Sequence, residues 1–137
     1  MPKQPLKQTI SFFGTCTASS NLTLVSKKIT TPFKTSVLRA SFAPGVERLM
    51  TLKFFISPDA EAPTEAEPNG VNILASTGQA RYITGDDEFK EFPHELLHEV
   101  SNGYLKVYAE NADVFDHTVD AQVTIEFFPI DDNEQTN

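Results

Sequence analysis

The last long run of the chain alternates without a break, Val119, Ala121, Val123, Ile125 and Phe127 interleaving with Thr118, Asp120, Gln122, Thr124 and Glu126. A period of two, with one apolar and one polar face, predicts a strand half-buried on a core. Leu105, Val107 and Ala109 alternate in the same way with Tyr104, Lys106, Tyr108 and Glu110. The turn-rich Asn111-Ala112-Asp113 between these runs predicts that residues 104–128 form a hairpin. Upstream, strands are expected over residues 9–17, 22–29, 36–42 and 49–57. In the last of these Met50, Leu52, Phe54 and Ile56 make an apolar face opposite Thr51 and Lys53. Pro44-Gly45 reads as a turn, and 71–75 and 79–84 as short strands around Thr77-Gly78.

Two stretches break the alternation. Residues 59–70 hold Pro63, Pro68 and the acids Asp59, Glu61, Glu65 and Glu67 with no aromatic residue, which predicts a long loop facing solvent. Over residues 86–100, Phe89, Phe92, Leu96, Leu97 and Val100 recur at intervals of three or four, the spacing of a helix. Pro93 interrupts it, so one helical turn or a bent loop is expected. The sum is an all-β chain, an antiparallel β-sandwich with one short helical insertion. A jelly roll is preferred to an immunoglobulin-like sandwich, because tryptophan and a cysteine pair are absent. The expected organisation is an extended N-terminal arm over 1–7, a single domain over 8–128 and an acidic tail over 129–137.

Charge changes the picture more than bulk composition does. The 137 residues carry a net charge of −8, yet residues 1–58 hold eight of the eleven basic side chains and one acid, and so stand at +7 against −15 for the rest. Such asymmetry makes either a molecule with two poles or a sandwich in which oppositely charged strands interleave. The bulk acidity, and the absence of a basic stripe interleaved with aromatics, argue against nucleic acid as a partner. No apolar run approaches membrane-spanning length, and Met1-Pro2-Lys3-Gln4-Pro5 has no apolar leader core. Synthesis in a cytoplasm and no membrane partner are expected. Cys16, alone and inside an alternating run, reads as a buried thiol.

One motif has the spelling of chemistry. His94-Glu95-Leu96-Leu97-His98 matches the H-E-x-x-H of zinc peptidases, where two histidines one helical turn apart hold the metal and the glutamate activates water. The extended form fails, since Ser101 and Tyr104 stand where glycine and a third histidine belong. His117 is a candidate third ligand, with Glu110, Asp113 and Asp116 as alternatives. Pro93 before the motif and Asn102-Gly103 after it leave room for about two helical turns at most, so no cofactor is expected. A zinc-dependent hydrolase using His94, Glu95 and His98, with His117, stays as the alternative reading. Tyr104 and Tyr108 alternate with Lys106 on the expected outer face of a strand. Such planar groups serve as a subunit interface or, alternatively, as a glycan- or receptor-binding platform.

The stretch Asn102-Gly103-Tyr104-Leu105-Lys106-Val107-Tyr108-Ala109-Glu110-Asn111, followed by Asp116-His117-Thr118-Val119 and the strand to Phe128, resembles the closing hairpin of small jelly-roll virion proteins. These are the decoration or cement proteins and minor capsid proteins of tailed phages and related viruses. The resemblance implies a non-enzymatic structural protein on the outer capsid surface, made in the host cytoplasm. It would work as a homo-oligomer, a trimer being favoured, against a larger capsid-type protein. The interface residues expected on this reading are Pro5 and Leu6 in the arm, with Tyr104, Lys106 and Tyr108.

Overall fold

The computed structural model describes residues 6–76, 80–98 and 102–127. Nine strands and one helical turn follow in chain order: β1 (Leu6–Cys16), β2 (Ser20–Val25), β3 (Phe33–Phe42), β4 (Met50–Ser57), β5 (Val71–Asn72), α1 (Ile73–Ser76), β6 (Ile83–Thr84), β7 (Glu88–His98), β8 (Tyr104–Asn111) and β9 (His117–Phe127). They form two antiparallel sheets, β1-β9-β3-β7 and β2-β8-β4-β5, with β6 also paired to β4. First pairs with last, second with next to last, third with β7, and β4 with β5 and β6. That nesting is a long antiparallel ribbon rolled so that successive pairs fall in alternate sheets, the topology of a jelly roll. The β5 and β6 segments serve as one edge strand broken by α1. Ten residues separate Asn72 from Ile83, where their partners Phe55 and Leu52 are separated by two.

The core lies between the sheets and is filled by the period-two positions. Met50, Leu52, Phe54 and Ile56 meet Val119, Ala121, Val123 and Ile125 from the opposite sheet, joined by Leu38, Ala40, Leu105 and Val107. Burying such side chains contributes about 1.5–3 kcal/mol each. The Cys16 thiol is also buried, and desolvation pushes its pKa up. No helix among the described residues is long and apolar enough to cross a membrane.

Three expectations are corrected. Residues 104–127 are not a hairpin, because β8 lies in one sheet and β9 in the other. The alternation of each run shows that one face meets a core; it does not say which strand lies alongside. The segment 111–116 is instead a crossover pinned by Asn111. Its buried Nδ2 donates to the carbonyls of Cys16, Thr17 and Phe115 at 3.1, 3.3 and 2.8 Å, and its Oδ1 accepts from Asp113 N at 3.0 Å. Residues 88–98 are not helical but an edge strand, and the one helical turn stands at 73–76 where a strand was expected. The arm expected over 1–7 is a strand from Leu6 onward, Leu6 pairing Phe127 and Lys7 pairing Glu126. Pro5 and the acidic tail 129–137 lie outside the described residues.

Candidate interaction surface

The H-E-x-x-H residues occupy β7, and the strand sets their geometry. His94 and His98 both point inward while Glu95 points out to an ion pair with Lys34 at 3.5 Å. Four residues along a strand span about 13 Å, against about 6 Å for the same spacing on a helix face, so the two imidazoles do not converge. His94 stacks on Phe92 with ring centroids 5.8 Å apart, and His98 tilts on Phe33 at 5.1 Å. The Nε2 atoms of both are buried with no hydrogen-bond partner among the described residues. His117 sits at the far end of β9, roughly 30 Å from the level of His98 by strand rise. It bonds Asp113 Oδ2 at 2.7 Å, and this contact holds the Asp113 carboxyl below its usual range. Among the described residues no group of three or more His, Cys, Asp or Glu is placed to hold a metal.

The expected tyrosine platform is covered. Strand β8 runs between β2 and β4, so Lys106 and Tyr108 are flanked on both sides, Tyr108 by Thr23 and Lys53 and Lys106 by Val25 and Phe55. The 59–70 loop lies over this row instead of standing out in solvent. Thr23 Oγ1 donates to the Pro63 carbonyl, Lys53 Nζ reaches Glu67 at 2.9 Å, and Lys106 Nζ reaches Asp59 at 2.7 Å. Lys106 and Tyr108 are buried as a result, and burial, followed by the charge of Glu110, raises the Tyr108 pKa. Tyr104 remains half-buried. Alternation predicted the outward direction of these side chains correctly but could not reveal the loop that returns across them.

The surface left open is at one end of the roll, where the connections 17–19, 43–49, 85–87 and 112–116 meet. Backbone bonds tie them together: Ser19 N to Asp113 O at 2.9 Å, Ala112 N to Leu49 O at 2.9 Å, Arg48 N to Gly85 O at 3.2 Å and Asp87 N to Ala43 O at 3.3 Å. Carboxylates add to this, Asp86 accepting from Gly45 N and Glu47 N at 2.9 and 3.0 Å, and Asp116 accepting from Ala18 N at 2.8 Å. Ser19, Glu47, Arg48 and Asp87 all carry positive φ here. Side chains other than glycine rarely adopt that conformation, and it persists where surrounding bonds over-determine it. The cross-tied end holds Val114 and Phe115 in water, 73% and 68% exposed. An apolar pair out of strand phase inside the polar run 111–116 was the sequence signal for this tip.

A second open feature is β1, an edge strand with no charge after Lys7 and with Phe13 standing 73% exposed. The opposite edge, β7, is guarded by Pro93 and by Glu88, Lys90, Glu91 and Glu95. An unguarded edge offers free backbone donors and acceptors to another strand.

Fold and surfaces together define a jelly-roll β-sandwich with an exposed apolar loop tip and an open strand edge. No family model matches the chain, and no curated protein matches it. Among solved structures it is similar to the infectious bursal disease virus VP2 subviral particle, with a TM-score of 0.49 and 10% identity over 91% of this chain and 33% of that one. The T13 viral particle of the same virus gives 0.49 and 11% identity over 90% and 31%. The mitogen of Yersinia pseudotuberculosis gives 0.41 and 8% identity over 92% and 90%. The chain spans about a third of the length of the bursal disease virus chains. These are likenesses of fold and carry no residue across.

Proposed function

We propose that this chain is a structural component of a virion, a decoration (cement) or minor capsid protein on the outer capsid surface. It is made in the host cytoplasm and acts as a homo-oligomer seated on a larger capsid-type protein. Its work is the burial of surface between folded subunits, with no turnover. The observation that carries this reading is the cross-tied loop end that holds Val114 and Phe115 in solvent. Binding residues gather on loops fixed by a rigid scaffold, and two large apolar side chains pre-set in water gain free energy as soon as a partner covers them. The unguarded β1 edge supports the same reading. Residues 1–5, joined directly to that edge, are the part of the expected arm left to clip a neighbour.

A particle gradient tests this reading. Lysate from cells that make the chain naturally is treated with nuclease and sedimented, and the protein is expected with nuclease-resistant particles. Recovery of all of it among free proteins at the top of the gradient would contradict the assignment. The hydrolase alternative loses its metal pair to the strand geometry of β7. The glycan platform loses Tyr108 to the covering loop.

A further inference from the structure

Among the described residues, the tip at one end of the roll is acidic and a groove at the other end is lined by cations. The connections that meet at the Val114 and Phe115 end carry Glu47, Asp86, Asp87, Asp113 and Asp116, and the cations Arg48 and Lys90 are both paired to Glu88, at 3.3 and 4.0 Å. At the other end of β9, the 26–32 connection, β1 and Phe127 enclose a groove of about 450 Å³. Ile10, Ile29 and Phe127 supply its apolar surface, and Lys27 and Lys28 stand at its mouth without an ion pair among the described residues. The acid nearest in register, Glu126, lies opposite Lys7 and Lys34. The length of β9 separates tip from groove by about 35 Å.

We infer that the acidic, apolar tip of one copy docks in the basic, apolar groove of a second copy of this chain, head to tail. The inference rests on the reading of the chain as an assembly protein and names the contact that reading needs. Phe115 enters the groove against Ile10, Ile29 and Phe127, while Lys27 and Lys28 meet the tip carboxylates. The tip is already held by Asn111, which bonds the Phe115 carbonyl at 2.8 Å, and by Asp113, whose carboxylate accepts from Val114 N at 2.7 Å. Little conformational freedom is lost when it docks. A contact between different patches is heterologous, and patches at opposite ends of one strand build an open row of copies, not the trimer that the resemblance to virion proteins favours.

Sedimentation velocity on the purified full chain tests it. For the wild type, the average mass rises with concentration and falls as salt screens the charges. Phe115→Ser removes the tip, and a Lys27→Glu, Lys28→Glu double variant reverses the groove. Each alone weakens self-association roughly tenfold or more. Mixed in equal amounts, the two variants form a one-to-one pair and nothing larger, since one intact tip and one intact groove remain. All three sites are at the surface, so near-ultraviolet circular dichroism stays native. Val114→Ser gives a second tip variant should Phe115→Ser fail that check. A wild type that is monomeric at every concentration overturns the inference, as does self-association that ignores both variants or a mixture that stays unpaired. Those outcomes leave the particle gradient to decide the functional reading separately.

Discussion

At the scale of single residues, the most consequential contact is the ion pair between Lys106 and Asp59. The Lys106 side chain is 0% exposed and that of Asp59 32%, so the pair joins a buried cation to an anion still reached by water. The bond from Lys106 and those from Asn69 and the Glu61 backbone hold the Asp59 carboxyl down at about 2. A carboxylate with a depressed pKa stabilises the fold fully above its unfolded value near 3.8 and loses that contribution as pH falls through about 2. The 59–70 loop should therefore lift between about pH 4 and 2, ahead of global unfolding. The chain has no tryptophan and three tyrosines, so in a Tyr82→Phe, Tyr104→Phe background tyrosine emission reports the uncovering of Tyr108. Emission flat to pH 2 would contradict the clamp. Asp59→Asn should destabilise more than Lys106→Met, because it leaves a buried ammonium without its counter-charge whereas the reverse change leaves a carboxylate free to hydrate. Gly70 closes the same loop at φ +126°, and a Cβ there would fall 2.2 Å from the Ile56 carbonyl oxygen. Gly70→Ala should cost at least about 1–3 kcal/mol in a denaturant melt, and a neutral result would mean the loop repacks freely.

At the scale of elements, β7 shows where pattern reading succeeds and where it misleads. The spacing of Phe89, Phe92, Leu96, Leu97 and Val100 resembles a helix only because Phe89 and Leu97 are apolar residues on the exposed face of a strand, 60% and 57% exposed. Taken by twos, Phe92, His94, Leu96 and His98 face inward and Glu91, Pro93 and Glu95 face out. Pro93 excludes a helix interior and suits an edge strand, so the residue that interrupts the helical spacing is the one that carries the correct reading. The consequence for chemistry is testable with zinc. Dialysis against the metal should leave less than one equivalent bound, and His98→Ala should change nothing. One zinc per chain that disappears in that variant would restore the hydrolase. By contrast, the alternating faces of β4, β8 and β9 were legible residue by residue, while their partners were not. Period two names a face, and only turn geometry and long-range register name a neighbour, which is why a crossover at Asn111 passed for a hairpin.

At the scale of the whole molecule, the charge asymmetry between the two halves resolves in both of the ways the sequence allowed. Across the sheets the halves interleave, β1 and β3 flanking β9, and their charges pair in rows such as Arg39 with Glu91 at 3.1 Å and Lys34 with Glu95 at 3.5 Å. Among the described residues, acidic connections gather beside Val114 and Phe115, while the other end carries both signs, Lys27 and Lys28 standing with Lys7 and Lys34 opposite Glu126 and with Asp59 on Lys106. That segregation was invisible in the sequence, because it depends on which connections share an end of the roll. It gives a domain with an apolar tip, a groove and an open strand edge. The central claim is that copies of this chain bind one another through tip and groove, and the mass of the purified wild type measured by light scattering against concentration, in low and high salt, tests it most directly. The account predicts species heavier than one chain that grow with concentration and shrink with salt. The mass of a single chain under every condition would contradict it.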